Sequence, residues 1–264
     1  MNGNHIILLV VVLGIALYWL PKILFFVRTL KSFLTNPKVN LPPQQLFGIL
    51  LGAVNAEQIT AYWNSLETGV PTMRLRTGLS EWWGVYNGQT AAAQVEKLLS
   101  AGHRVAFDAA LGQLANVSPE QWEQVAKSGG EALSNLGASL ASLKEDKTTF
   151  TAEDLARGTL AWDLGRAVVV TRMSYDLKFL DESQAWAFIA RASEQARAQF
   201  SSWEQWGKSY LLGRAMWNSS EDGMLSGLAS ITADCQATPD GPWTKLAWQT
   251  ESAQGSGHAS KVGT

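Results

Sequence analysis

The sequence predicts an all-α protein: an N-terminal single transmembrane helix followed by one helical globular domain. Three observations support this fold class. Residues 6–27 form an apolar run, helix-capping signals recur along the rest of the chain, and no segment alternates apolar and polar residues with the period of a strand. With 46% apolar side chains and 12 tryptophans in 264 residues, the chain can bury one sizeable core.

The apolar run at residues 6–27 has the length of a membrane span. Lys22 is its only charge, and at about 1.5 Å per residue a helix of this length crosses a hydrocarbon core of about 30 Å. No basic residue precedes the run and no small-residue cleavage site follows it, so we expect the segment to be retained. Pro21 leaves two geometries open. Either the span continues to its end with Lys22 snorkelling, or it ends near Leu20 and residues 21–34 lie along the interface.

Charge predicts the orientation of this span. All four basic residues among the first 40 follow Leu20, and no acidic residue occurs there. The excess of positive charge predicts a single-pass protein whose C-terminal side lies in the cytoplasm. Beyond residue 40, 17 basic residues face 23 acidic ones. A domain this acidic is not expected to bind nucleic acid. The predicted partners are the lipid bilayer, through residues 6–27, and a protein.

The chain is predicted to have three parts. Residues 1–40 form a membrane anchor with a basic juxtamembrane segment, residues 41–248 form one all-α domain, and residues 249–264 form a disordered tail rich in Ser, Gly and Thr. Within the domain, capping patterns predict helices that begin at Ser118, Thr151, Asp181 and Ser201, and Gly102 ends another. Residues 130–143 are compatible with a helix but have no clear apolar face. We expect three central helices, which carry Asp163, Trp186 and Tyr210.

Common catalytic and cofactor-binding patterns are missing from the sequence. Cys235 is the only cysteine and there are three histidines, so an internal disulfide is impossible and a metal or haem site would have few ligands. No zinc-protease, serine-hydrolase or S-x-x-K motif occurs. Gly207-Lys208-Ser209 resembles the end of a phosphate-binding loop, but Ser202 stands where its first glycine is needed. We therefore expect no cofactor and no metal, and no residue is identified as catalytic.

Charged residues fall among apolar ones in two of the predicted helices. With about 100° per residue, Arg166 lies inside the apolar arc of its helix, Asp163 lies at the edge and Arg172 lies opposite. In the helix after Ser201, Arg214 lies beside an aromatic stripe. The candidate polar cluster is Asp163, Arg166, Arg172, Tyr175, Tyr210 and Arg214, and the candidate aromatic surface or core is Trp162, Trp186, Trp203, Trp206 and Trp217.

A buried charge needs a partner, and we expect Asp163 to pair with Arg214, with Arg166 as its alternative mate. Two interpretations follow. The cluster is either an ion-pair network that fixes the packing of the helices or a polar pocket for a small anion or a partner's side chain. His103 is the obvious acid–base candidate, but its place after Gly102 at a helix end is more typical of a capping or solvated residue.

Several segments together resemble the bacterial domain of unknown function 1266. They are Ala161-Trp162-Asp163-Leu164-Gly165-Arg166, Thr171-Arg172-Met173-Ser174-Tyr175, residues 182–186, Phe200-Ser201-Ser202-Trp203 and Tyr210-Leu211-Leu212-Gly213-Arg214-Ala215-Met216-Trp217, with Trp82 and residues 98–104. Ser174 replaces a glycine that this family often has. The resemblance covers half to two thirds of the chain, excludes the membrane helix, and implies no established activity. It implies a bacterial setting, so the membrane expected for the predicted span is the bacterial inner membrane. It adds that Asp163, Arg166 and Arg214 coincide with the family's motif.

These observations favour a membrane-anchored cytoplasmic protein of unknown function that acts as a protein-interaction module through exposed aromatic residues. The alternative is an enzyme or small-ligand binder with a polar pocket at Asp163, Arg166 and Arg214, in which Tyr175 or Tyr210 supplies a hydroxyl. The two hypotheses differ in whether the charged cluster opens to solvent.

Overall fold

A computed structural model of the protein describes residues 33–218 and 224–248. Contacts between Cα atoms divide the chain into two units, Met1–Phe33 and Leu34–Thr264. Every regular element of the described residues is a helix, which confirms the all-α class. The α-helices are α1 Pro43–Leu50, α2 Ala53–Ile59, α3 Thr72–Trp83, α4 Gly88–Ser100, α5 Arg104–Leu111, α6 Trp122–Lys127, α7 Glu131–Glu145, α8 Ala152–Arg157, α9 Leu160–Asp176, α10 Glu182–Gln199, α11 Trp203–Trp217 and α12 Met224–Ala237.

Among residues 33–218 and 224–248, no helix is both long enough and apolar enough to cross a membrane. The predicted span at residues 6–27 and the predicted disordered tail at residues 249–264 lie outside the described residues.

Most of the predicted helix starts and stops are present. Thr151 and Asp181 each begin a helix with a reciprocal capping box. The start expected at Ser201 is one residue later, since the Ser202 hydroxyl accepts the N–H of Gln205 at 3.2 Å. Gly102 follows the end of α4 with a φ of +58°. Of the weakly patterned residues 130–143, Gly130 is the N-cap of α7 and the rest lie within it.

Helix α9 is the centre of the domain. Its side chains are buried from Ala161 to Ser174 on every side of the helix, as expected of a helix surrounded by others. It packs most extensively against α11, α10 and α4. Two of these neighbours, α10 and α11, are the predicted central helices, whereas the sequence pattern gave no reason to place α4 beside them.

Glycines allow two close approaches to α9. A Cβ at Gly165 would lie 3.1 Å from the Leu51 carbonyl oxygen, and a Cβ at Gly213 would overlap Trp162. Gly165 therefore lets α9 approach the backbone at the end of α1, and Gly213 lets α11 approach Trp162 of α9 more closely than a larger residue would.

Aromatic side chains form a separate core beside α1 and α11. Ring centroids in this group lie 4.6–6.2 Å apart. Its members are Phe47, Phe200, Trp203, Trp206, Trp243 and Trp248. The indole N–H of Trp248 donates to the Phe200 carbonyl at 2.9 Å, and that of Trp243 donates to the Leu50 carbonyl at 3.0 Å. These bonds fasten the segment after α12 to the domain.

Residues 34–39 are fixed to the loop between α2 and α3. The Asn64 side chain accepts the backbone N–H of Asn36 at 2.7 Å and donates to the Asn36 carbonyl at 2.9 Å, and both side chains are buried. The Trp63 indole donates to the Thr35 hydroxyl at 3.0 Å. This stretch, which sequence analysis assigned to the juxtamembrane segment, is thus hydrogen-bonded to the domain.

A buried charged cluster as the candidate functional site

Asp163, in the first turn of α9, is fully buried and accepts hydrogen bonds from four N–H groups. Its Oδ1 atom receives the Arg166 guanidinium at 2.5 Å and the backbone N–H of His103 at 3.0 Å. Its Oδ2 atom receives the backbone N–H of Arg104 at 2.9 Å and the Arg104 guanidinium at 3.4 Å. Two cations and two backbone dipoles therefore compensate one buried carboxylate.

The same carboxylate caps the N-terminus of α5. His103 and Arg104 supply the first N–H groups of that helix, which have no partner within it. Gly102 enters this turn at a φ of +58°, and a Cβ on it would overlap the Asp163 carboxylate. Position 102 needs glycine both for its backbone conformation and for the approach of Asp163.

Helix α5 in turn caps α9. The Oδ1 atom of Asp108 accepts both the backbone N–H and the hydroxyl of Thr159 at 2.8 Å, immediately before α9 begins. Gly158 has a φ of +78°, and a Cβ there would lie 2.7 Å from the Asp108 carboxylate. Two glycine–aspartate pairs thus make α5 and α9 cap each other. Partial burial raises the pKa of Asp108, while the hydrogen bonds from Thr159 act in the opposite direction.

The Arg166 guanidinium has both polar and aromatic partners. Its Nε donates to the Trp162 carbonyl at 2.9 Å, and its guanidinium carbon lies 4.3 Å from the Trp162 ring centroid and 5.7 Å from that of Trp83. Burial lowers the pKa of Arg166, and the charge of Asp163 opposes that shift. The guanidinium has both a carboxylate and aromatic faces as partners, which is typical of a structural arginine.

The expected pair between Asp163 and Arg214 is wrong. Arg214 is buried in the last turn of α11, donates to the Asn218 carbonyl at 3.0 Å, and lies 5.3 Å from the Trp217 ring centroid. The alternative mate, Arg166, is the one that Asp163 binds, together with Arg104. The helical repeat predicts the direction of each side chain about its own helix axis. It does not predict which residues of two neighbouring helices lie at the same level.

Arg172 belongs to a different site on the opposite side of α9. Its guanidinium donates to the carbonyls of Tyr62, Leu66 and Glu67, which all lie in the loop between α2 and α3. Burial lowers the pKa of Arg172 to about 10. The nearby Asp176 accepts the hydroxyl and the N–H of Thr68 in the same loop. Arg172 fastens this loop and does not join Asp163.

The two candidate tyrosines also separate. The Tyr210 hydroxyl accepts the Asn55 amide at 2.9 Å, its ring contacts Trp162 edge-on at 5.1 Å, and burial raises its pKa. Tyr210 therefore adjoins the Asp163 cluster. Tyr175 lies near the end of α9, half-buried, with the Lys178 ammonium 4.8 Å from its ring centroid.

The predicted tryptophans fall into three groups. Trp203 and Trp206 lie in the aromatic core. Trp162 covers Arg166 and contacts Trp217, which is 48% exposed, at a centroid distance of 6.1 Å. Trp186 is half-buried on α10, and its indole donates to Glu182 at 3.3 Å. Only Trp217 of the five presents a large apolar surface to solvent.

His103 contributes its backbone rather than its imidazole. The ring is exposed and stacks on Phe107 with centroids 5.4 Å apart. Partial burial and the charge of Arg166 lower the pKa of His103. The imidazole makes no hydrogen bond to Asp163, so no hydrogen bond connects it to that carboxylate for proton transfer.

Sequence reasoning missed Arg104 and Asp108 as partners of α9. Arg104 itself was noted only as part of the family resemblance of residues 98–104, although its neighbours Gly102 and His103 had been singled out. Asp108 carries no local signal, although the Gly158-Thr159 step that it caps could have suggested a special turn. Within residues 33–218 and 224–248, no three His, Cys, Asp or Glu side chains lie close enough together to hold a metal ion.

Comparisons with known proteins agree with the motif. Residues 78–248 match the family model described as "Protein of unknown function (DUF1266)". The uncharacterized protein YbeR of Escherichia coli strain K12 is 25% identical over 173 residues, which cover 62% of this chain and 68% of YbeR. No solved structure matches the chain. The matched region contains the Asp163 cluster and both reciprocal caps, and because it spans about two thirds of the sequence, the chain belongs to the DUF1266 family.

Proposed function

We propose that this protein is a membrane-anchored helical module whose cytoplasmic domain binds a protein partner through exposed aromatic side chains. The observation that supports this most directly is the contrast between two sites. Asp163 and Arg166 are buried, and the charge of Asp163 is compensated from within the domain. Trp82 and Tyr86, by contrast, are 71% and 63% exposed on either side of the turn that ends α3.

Trp82 is both exposed and held in place. Two atoms of its six-membered ring lie 3.7 Å from where a Cβ on Gly78 would be, so the indole packs beside the preceding turn of its own helix. A fixed aromatic side chain loses little conformational entropy on binding, and tryptophan and tyrosine are enriched among the residues that dominate interface energies.

The charged cluster contacts the residue next to Trp82 in the sequence. The neighbouring Trp83 is half-buried and lies near the Arg166 guanidinium, which also stacks on Trp162. Trp162 in turn contacts the half-exposed Trp217. Arg166 thus packs against Trp83 and Trp162, and next to these lie the exposed Trp82 and Trp217. This arrangement suits a binding module better than a catalytic site.

Site-specific photo-cross-linking in intact cells tests the interaction. A photoreactive phenylalanine at position 82 or 86 should give one adduct of defined mass, whereas position 73 should not. Met73 is a suitable control because it is 75% exposed on the same helix, about 13 Å from Trp82 along its axis. With the partner purified, Trp82→Ala should raise the dissociation constant by roughly thirtyfold, as for an interface anchor of about 2 kcal/mol. Equal labelling at position 73, or unchanged binding by Trp82→Ala, would contradict the proposal.

The membrane part rests on the apolar residues 6–27 and on the basic residues that follow them. A cytoplasmic reporter fused after Thr264 should be active, and the chain should remain with the membrane after alkaline extraction. A variant without residues 1–32 should lose membrane association while retaining the bonds of Asn36 to Asn64. A periplasmic C-terminus, or association that survives the deletion, would overturn this topology.

A further inference from the structure

A solvent-connected depression lies directly beside the closed cluster. It has a volume of about 310 Å³ and lies between α5, α8, the start of α9 and α10. Its lining combines two cations, one anion, two amides and two small apolar surfaces: Arg104, Arg157, Asp108, Gln195, Gln199, Leu160 and Ala198.

The two guanidinium groups are fixed by neighbours outside the depression. Arg104 donates to the carbonyls of Leu98 and Leu99 at 2.8 Å as well as to Asp163. Arg157 donates through one terminal nitrogen to Asp154 at 2.8 Å. Within the described part of the chain, the Nε and second terminal nitrogen of Arg157 make no hydrogen bond, so this side chain keeps donors for an anion.

The third charge has the opposite sign. Asp108 uses Oδ1 for Thr159, and its Oδ2 accepts no hydrogen bond from residues 33–218 or 224–248. Desolvation raises the pKa of this carboxyl against the opposing hydrogen bonds of Thr159, and the residue is exposed, so a ligand can reach it. A cationic group placed beside Oδ2 would supply that partner.

We propose that this depression binds a small zwitterion of the α-amino acid class. The carboxylate lies between Arg104 and Arg157, the ammonium contacts Asp108, and a short side chain packs on Leu160 and Ala198. A purely anionic ligand would place its charge near the Asp108 carboxylate, and a purely cationic one would face two guanidinium groups. Only a ligand with both charges is attracted by all three residues.

Thermal unfolding of the full chain in mild detergent, followed by tryptophan fluorescence, tests the proposal. Each L-amino acid except tryptophan and tyrosine, whose own fluorescence would interfere, is added at 10 mM, and at least one should raise the melting temperature by a few degrees, as native-state binding requires. Calorimetric titration then compares that amino acid with two analogues, one lacking the ammonium and one lacking the carboxylate. For alanine these are propionate and alaninamide. Each analogue should bind at least tenfold more weakly.

Two variants and one control complete the test. Arg157→Gln and Asp108→Asn should each raise the dissociation constant at least tenfold, and asparagine can still accept the bonds of Thr159. Arg191→Gln removes another ion-paired arginine of the domain, which binds Glu96 and does not line the depression, and should leave binding unchanged. The proposal is overturned if no amino acid shifts the melting temperature, if the propionate-type analogue binds as tightly, or if Arg157→Gln keeps the affinity.

Discussion

Replacing Asp163 by alanine would leave the Arg166 guanidinium buried without its carboxylate. The Arg166 side chain is only 7% exposed, so water cannot reach it freely, whereas Arg104 is 15% exposed and borders the depression. Removing one partner of a buried ion pair costs about 3–5 kcal/mol. Loss of the cap on α5 adds roughly 1 kcal/mol. We expect Asp163→Ala to lose about 4–6 kcal/mol, a large share of the ~5–15 kcal/mol that stabilises a typical domain.

Chemical denaturation followed by tryptophan fluorescence measures this loss, and double-mutant cycles identify the partner. Asp163→Asn combined with Arg166→Gln should give a coupling energy of roughly 1–3 kcal/mol. The same substitution combined with Arg214→Gln should be additive to within about 0.5 kcal/mol, because these side chains do not touch. A cost below about 1 kcal/mol for Asp163→Ala, or equal coupling to both arginines, would refute the geometry described here.

Three further predictions concern the turns, the loop and the titration of the cluster. Gly102→Ala should destabilise the domain by more than about 2 kcal/mol in urea unfolding, because Gly102 has a positive φ and the Asp163 carboxylate lies against it. The control Gly112→Ala should be nearly neutral, because a Cβ at position 112 meets no atom within 4 Å. Arg172→Met should speed amide exchange in residues 62–68, because three carbonyls lose their donor, and leave exchange in α5 unchanged. Because the pKa of Asp108 is raised in the folded state, the native protein binds this proton more tightly than the unfolded chain, and stability falls as pH rises from its ordinary value of 3.8 through the raised pKa. Comparing unfolding of the wild type and Asp108→Asn across that range should show this decline only in the wild type.

The helices could be predicted because their signals are local. The capping boxes at Thr151 and Asp181 need only residues three apart, and the apolar arc that contains Arg166 follows from the helical repeat. Burial of Asp163 and Arg166 was also implied by the sequence, since both lie at or within an apolar stripe. The pairing of Asp163 with Arg166, three residues later, was the alternative that the sequence offered.

The tertiary structure alone decided which distant groups meet. Asp163 binds the backbone of His103 and Arg104, about 60 residues earlier in the chain, and Asp108 binds Thr159, about 50 residues later. Arg172 reaches carbonyl groups more than 100 residues away. A helical repeat gives the direction of a side chain about its own axis, but the crossing angle and the axial offset of two helices depend on packing along their whole length. For that reason the sequence identified the buried charges, whereas their partners depended on how α5, α9 and α11 pack together.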